Sequence, residues 1–144
     1  MKTISLHLVL LIILISCSAD PRAINFGQDT CQHCKMKLMD PKHGAEVVTE
    51  KGKVFILDDV NCLISFLSSE ELSGQVPKHI LITPVDQPGA LTDATVAFYL
   101  KSPDFQTPMA SNVLAFADYN ELKAFKAKNG GVYMAWGELI TQFK

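Results

Sequence analysis

Three sulfur-bearing side chains lie within six residues of one another, at Cys31, Cys34 and Met36. Two thiols separated by two residues can converge on one ion or on each other. Residues two apart in an extended stretch point to the same face, so the sulfurs of Cys34 and Met36 would share one side. Sulfur ligands select soft ions such as Cu(I), whereas a thioether is a poor ligand for zinc. The spacing therefore favours a soft-metal site.

Other kinds of site also use a Cys-x-x-Cys pair, and they stay open at this point. A thiol–disulfide oxidoreductase would use Cys31 and Cys34 as a redox pair, although no thioredoxin-like βαβ pattern surrounds them. A zinc site would need Cys62 or a histidine to complete it, because the chain has no second Cys-x-x-Cys. In a lipoprotein that only binds a protein partner, the sulfurs, including Met36 and Met39, would simply fill the core.

A second candidate sulfur is Met109, at the end of a loop rich in Pro, Ser and Thr. Pro108 restricts the backbone before it, so the thioether could be held in a defined place. By itself this pattern fits a structural methionine as well as a ligand. Cys62 is expected to pack in the core rather than to bind metal, and His33 is expected to be a solvated loop residue.

Two similar segments, Val54–Phe66 and Val113–Phe125, must position these groups. Each begins with a short apolar run typical of a buried strand, Val54–Leu57 in the first and Val113–Phe116 in the second. An aspartate follows where it could cap the first turn of a helix. Apolar residues then recur at helical spacing. Gene duplication and chance similarity both remain open as explanations of the likeness.

Further strands are predicted on both sides of each helix. The predicted strands outside the two segments are Ala45–Thr49, Ile80–Val85, Val96–Leu100 and Val132–Ala135, and a short C-terminal helix is predicted over Glu138–Phe143. The pattern predicts an α+β fold of two tandem ββαβ units that share a core. We place the units at about residues 29–86 and 87–144.

The N-terminus has the features of a bacterial lipoprotein signal. Residues 1–16 contain Lys2 and an apolar stretch that is too short for a membrane span of roughly 20 residues. Leu14-Ile15-Ser16-Cys17 is the pattern of a lipobox, so we expect acylation of Cys17 and a tether over residues 17–28. The predicted location is the cell membrane or outer membrane, with the protein facing the periplasm or the cell exterior.

The charge balance excludes a nucleic-acid partner. The chain has 13 basic and 15 acidic residues, a formal net charge of −2, and its basic residues are scattered rather than grouped. If Cys17 is acylated, three cysteines remain in an exported protein. This odd number argues against a simple disulfide framework.

Taken together, these motifs resemble the NosL family of copper chaperones. The shared residues run over nearly the whole mature chain: the lipobox at Cys17, Cys31-Gln32-His33-Cys34-Lys35-Met36, Asp40, Phe55–Asp59 with Cys62, Thr107-Pro108-Met109, Ala115-Phe116 and Gly130-Gly131 before Trp136. The resemblance implies a non-enzymatic lipoprotein that holds Cu(I) and delivers it to the maturation of nitrous oxide reductase or another exported copper enzyme. Its expected partners are a copper-accepting protein or a membrane transporter complex.

The resemblance also implies a fold and a set of ligands. The fold is a pair of ββαβ units related to organomercurial lyase, and the implied ligands are Cys31 or Cys34, together with Met36 and Met109. The chain departs from the family pattern at two positions, where Lys35 and Ala110 replace glycines. Both changes lower backbone freedom beside the implied ligands.

Overall fold

The computed structural model describes residues 19–144. The predicted signal peptide at residues 1–16 and the lipidation site Cys17 lie outside the described residues. Within residues 19–144, no helix is both long and apolar enough to cross a membrane.

The first unit is a four-stranded antiparallel sheet covered by one helix. Its elements are β1 (Ala45–Thr49), β2 (Val54–Leu57), α1 (Val60–Leu67), a 3-10 turn (Glu70–Leu72), β3 (Pro77–Ile82) and β4 (Thr92–Asp93). The strand order is β2-β1-β3-β4, so β1 is central and pairs with β2 and β3. Strands β1 and β2 form a hairpin, which the backbone bond from the Thr49 N–H to the Lys53 carbonyl closes at 2.9 Å.

The second unit repeats this topology with a smaller sheet. Its elements are β5 (Phe98–Lys101), β6 (Val113–Phe116), α2 (Tyr119–Asn129) and β7 (Val132–Met134), and α3 (Trp136–Phe143) ends the chain. The strand order β6-β5-β7 again places the first strand of the unit at the centre. The predicted α+β fold of two ββαβ units is therefore confirmed.

Aspartate caps begin both main helices, as their sequence positions predict. Asp59 accepts a hydrogen bond from the backbone N–H of Asn61, and Asp118 accepts one from that of Asn120. Each cap satisfies a backbone donor that has no partner within the helix. Helix α1 then buries Leu63 and Phe66 against the first sheet.

The third strand lies three residues earlier than the predicted Ile80–Val85. Strand β3 ends at Ile82, which pairs with Ala45, the first residue of the central strand. The partner strand limits the length of β3, and this information is absent from the local pattern. The C-terminal helix begins two residues earlier than predicted, where Glu138 accepts a hydrogen bond from the backbone N–H of Ala135.

The two units share a main core, as predicted. It joins Leu57, Leu63 and Phe66 of the first unit to Tyr99 and Ala115 of the second. A smaller cluster beneath α2 is formed by Leu100, Phe105, Leu114, Phe116 and Leu122. Because the main core includes residues of both units, residues far apart in sequence meet at the junction.

The described part of the predicted tether, from Ala19 to Gln28, packs on the first unit. Ile24 is buried in the main core, and Arg22 forms an ion pair with Asp29 at 2.7 Å. The backbone N–H of Arg22 donates to the buried Glu46 carboxylate on β1 at 3.0 Å. This segment therefore covers part of the sheet.

Candidate metal centre

A tight turn holds Cys31 and Cys34 at one end of the first sheet. The Cys31 N–H donates to the Met36 carbonyl at 2.8 Å, and the Lys35 N–H donates to the Cys31 carbonyl at 3.0 Å. The Gln32 N–H donates to the Ile56 carbonyl of β2 at 2.7 Å. The turn is therefore hydrogen-bonded to the first sheet.

Lys35 closes this turn with a φ of 63°, in the left-handed region that favours glycine. Its ammonium group donates to the Gln32 carbonyl and lies 3.8 Å from the Glu71 carboxylate. Lys35 occupies one of the two positions where the family resemblance implies glycine. The backbone conformation that a glycine would adopt easily is therefore kept here by a residue with a side chain.

Cys62, in the first turn of α1, completes a group of three sulfurs. The Sγ atoms of Cys31, Cys34 and Cys62 all lie within 4.8 Å of one another, and all three cysteines are free thiols. Sulfurs bound to one ion at roughly 2.3 Å lie about 4 Å apart. Only a small contraction would bring all three onto one metal ion.

The expectation that Cys62 only packs in the core was therefore incomplete. Its side chain is 1 % exposed and does pack in the core, but its sulfur also joins the other two thiols. The odd number of cysteines in a chain predicted to be exported was the signal that could have indicated this. Sequence position alone gave no reason to bring Cys62 near residue 31.

Hydrogen bonds converge on the sulfur of Cys31. The Cys62 thiol donates to it, the Cys34 N–H donates to it at 3.4 Å, and the N–H of His33 contributes as well. These donors stabilise the thiolate against the opposing effect of burial and lower the pKa of Cys31 to about 5. Cys31 is therefore the thiol of the group that loses its proton most readily.

The other two thiols hold their protons more firmly than Cys31 does. Burial raises the pKa of Cys34, and donation to Cys31 raises the pKa of Cys62. Burial, reinforced by the Cys31 charge, also raises the pKa of the nearby Asp58 to about 6. Recruiting Cys34 and Cys62 as thiolates would release protons, as metal binding to thiols generally does.

The loop that carries Met109 lies against the first turn of α1. The Met109 N–H donates to the Asp59 carboxylate at 3.0 Å, and the Asn61 side-chain amide donates to the Met109 carbonyl at 3.4 Å. The Met109 side chain is half-buried against the main core, as is that of Cys34. The fold thus brings this loop of the second unit next to the residue that precedes Cys62.

The remaining candidate residues of this region face solvent. The Met36 side chain is 51 % exposed and the Met39 side chain 68 % exposed, while His33 is exposed within the turn. Asp40 accepts a hydrogen bond from the Lys42 N–H at 2.9 Å, which is typical of a turn residue. Whether Met36 and Met109 bind metal stays a prediction.

Three free thiols, one of them with a lowered pKa, form a group that could hold a soft metal ion. Comparison with solved structures gives a match to the crystal structure of the copper chaperone NosL from Shewanella denitrificans. The match has a TM-score of 0.69 and 21 % sequence identity, and it covers 84 % of this chain and 96 % of that one. At this identity the match shows a common fold.

Sequence comparison leads to the same family. No curated protein sequence matches the chain. The NosL family model, however, matches residues 23–143, which is most of the chain and includes the three clustered cysteines and Met109. The chain therefore belongs to the NosL family.

Proposed function

We propose that this protein is a Cu(I) carrier that delivers copper to an exported enzyme. The observation that carries the proposal is the group of three sulfurs within 4.8 Å of one another, with the loop of Met109 beside it. Soft thiolate and thioether ligands favour Cu(I). The structural neighbour is a copper chaperone, which supports the same cargo.

The proposed ligands come from three parts of the fold. The turn contributes Cys31, Cys34 and Met36, helix α1 contributes Cys62, and the loop of the second unit contributes Met109. Met36 is the solvent-facing member, so we assign it to the side from which copper enters and leaves. Transfer would proceed by ligand exchange, in which a sulfur of the acceptor binds before a sulfur of the carrier leaves.

The accessibility of the thiols supports a carrier over a thiol–disulfide oxidoreductase. The pKa of Cys31 is the lowered one of the pair, but its side chain is fully buried. Cys34 is more accessible, but the pKa of its thiol is raised by burial. Thiol–disulfide exchange needs a thiolate that a substrate can reach. Neither cysteine meets both conditions.

The N-terminal sequence and the family membership support a proposal for the cellular setting. We propose a lipid anchor on Cys17 that keeps the protein at a membrane, facing the periplasm or the cell exterior. The proposed client is nitrous oxide reductase or another exported copper enzyme. Copper would pass to the client directly or through a membrane transporter complex.

A competition titration of the reduced protein against a chromophoric Cu(I) chelator tests the cargo and the ligands. We expect stoichiometric Cu(I) binding by the wild-type protein. Replacement of Cys31, Cys62 or Met109 (Cys31→Ser, Cys62→Ser, Met109→Leu) should weaken the affinity at least about tenfold, by comparison with the effect of losing even an outer-shell contact.

Met134→Leu provides the matched control for Met109→Leu. Met134 is also half-buried against the main core, but it lies on β7 of the second sheet. Its replacement should leave the affinity unchanged. The carrier proposal is refuted if reduced wild-type protein binds no Cu(I), and Met109 is removed from the ligand set if its variant matches the Met134 control.

A further inference from the structure

The carboxylate of Asp59 contacts two different parts of the chain. Its Oδ1 atom accepts the backbone N–H of Asn61 at 3.3 Å and so caps α1. Its Oδ2 atom accepts the backbone N–H of Met109 at 3.0 Å. Asp59 is 2 % exposed, so these bonds offset the cost of burying a carboxylate.

Asn61 adds a second contact to the same loop residue. Its side-chain amide donates to the Met109 carbonyl at 3.4 Å. Both backbone polar groups of Met109 are thus bonded to side chains from the N-cap and the first turn of α1. These side chains lie about 50 residues away in sequence. The next residue of that helix is Cys62, whose sulfur belongs to the thiol group.

Other hydrogen bonds of the loop shape it from within. The hydroxyls of Thr107 and Ser111 lie 3.0 Å apart, and the Asn112 N–H donates to Thr107 Oγ1 at 3.1 Å. These bonds define the form of the loop, but they do not attach it to the first unit. The hydrogen bonds that join the loop to the first unit are the two to Met109, from the N-cap and the first turn of α1.

We infer that Asp59 is a positioning residue for the metal centre. Together with Asn61 it holds the backbone of Met109 against α1, so that the thioether and the Cys62 thiol can reach the same ion. This inference rests on the proposed Cu(I) site and extends it to a residue that itself binds no metal. The cap alone needs one oxygen, so the second oxygen carries the positioning role.

A substitution that leaves one side-chain oxygen at position 59 separates the capping role of Asp59 from its contact with Met109. Serine caps a helix about as well as aspartate, but its single oxygen cannot also hold Met109. Asp59→Ser should therefore keep α1 and release the loop. Asp118→Ser is the matched control, because Asp118 caps α2 in the second unit by bonding Asn120 and Glu121.

The test is a Cu(I) competition titration of the reduced full-length protein in a double-mutant cycle with Met109→Leu. Asp59→Ser should weaken the affinity about 10- to 100-fold, whereas Asp118→Ser should leave it unchanged. In the Met109→Leu background, Asp59→Ser should cause no further loss. A purely structural role would weaken binding in both backgrounds.

Each outcome decides one proposal or the other. If Met109→Leu weakens Cu(I) binding but Asp59→Ser does not, the positioning role is wrong and the ligand set stands. The same conclusion follows if Asp59→Ser lowers the Cu(I) affinity as much in the Met109→Leu background as in the wild-type protein. If Met109→Leu itself has no effect, the thioether is not a ligand and the positioning role of Asp59 is refuted with it, while the Cu(I)-carrier proposal stands. Should Asp59→Ser fail to fold, Asn61→Ala tests the second contact in the same cycle, with the same pattern expected.

Discussion

Ala110, directly after Met109, has a φ of 53°. A residue with a Cβ atom in this left-handed region is destabilised by roughly 1–2 kcal/mol. The Ala110 methyl is exposed, so little burial energy offsets this strain. Ala110→Gly should remove the strain, while the greater freedom of glycine in the unfolded chain costs about 0.4–1 kcal/mol. We therefore expect the free energy of unfolding to rise by about 0.5–1 kcal/mol.

The same substitution in a helix should have the opposite sign. Ala124 is exposed in the middle of α2, where the right-handed backbone suits alanine. Ala124→Gly should lower the free energy of unfolding by about 1 kcal/mol. The two variants make an identical chemical change at exposed sites. A difference of about 1.5–2 kcal/mol between their free energies of unfolding would therefore measure the effect of the local backbone conformation.

Urea denaturation of the reduced, metal-free protein measures both effects. The comparison is valid if the free energy of unfolding falls with urea concentration at the same slope in the variants as in the wild-type protein. Equal destabilisation by Ala110→Gly and Ala124→Gly would refute the argument that position 110 is strained. Lys35→Gly, at a φ of 63°, should give a smaller gain, because it also removes the contacts of the Lys35 ammonium with Gln32 and Glu71.

Two further predictions concern stability away from the thiols. Gly131→Ala should lower the free energy of unfolding by more than about 1 kcal/mol, because the φ of Gly131 is +103° and a Cβ atom there would lie 2.9 Å from Leu100. Gly137→Ala is the control, because a Cβ atom at that position meets nothing within 4 Å. Denaturation of this variant should show no such loss. Burial raises the pKa of Glu46 above its ordinary 4.5 in the folded protein. The folded protein therefore binds this proton more tightly than the unfolded chain, and it loses stability as the pH rises above 4.5. The unfolding free energy of Glu46→Gln relative to wild type should therefore increase between pH 4.5 and neutrality, and a pH-independent difference would contradict this.

Local sequence features determined most of the secondary structure. The bounds of β1, β2 and β6 agree with the predicted Ala45–Thr49, Val54–Leu57 and Val113–Phe116. Short apolar runs between turn residues define such strands locally. The helix caps could also be predicted from the sequence, because a capping side chain bonds backbone groups only two or three residues away. The family could also be recognised, since its motifs are spread along the chain.

Tertiary structure decided the extent of β3 and the make-up of the metal centre. Strand β3 ends at Ile82 because its partner β1 begins at Ala45. The sequence indicated Cys31 and Cys34 by their spacing, yet only packing of α1 on the sheet brings the Cys62 sulfur within 4.8 Å of them. Likewise, no local pattern links Asp59 to Met109, which it bonds at 3.0 Å. Capping and apolar periodicity act over a few residues, whereas distances between residues far apart in sequence are set by the shared core.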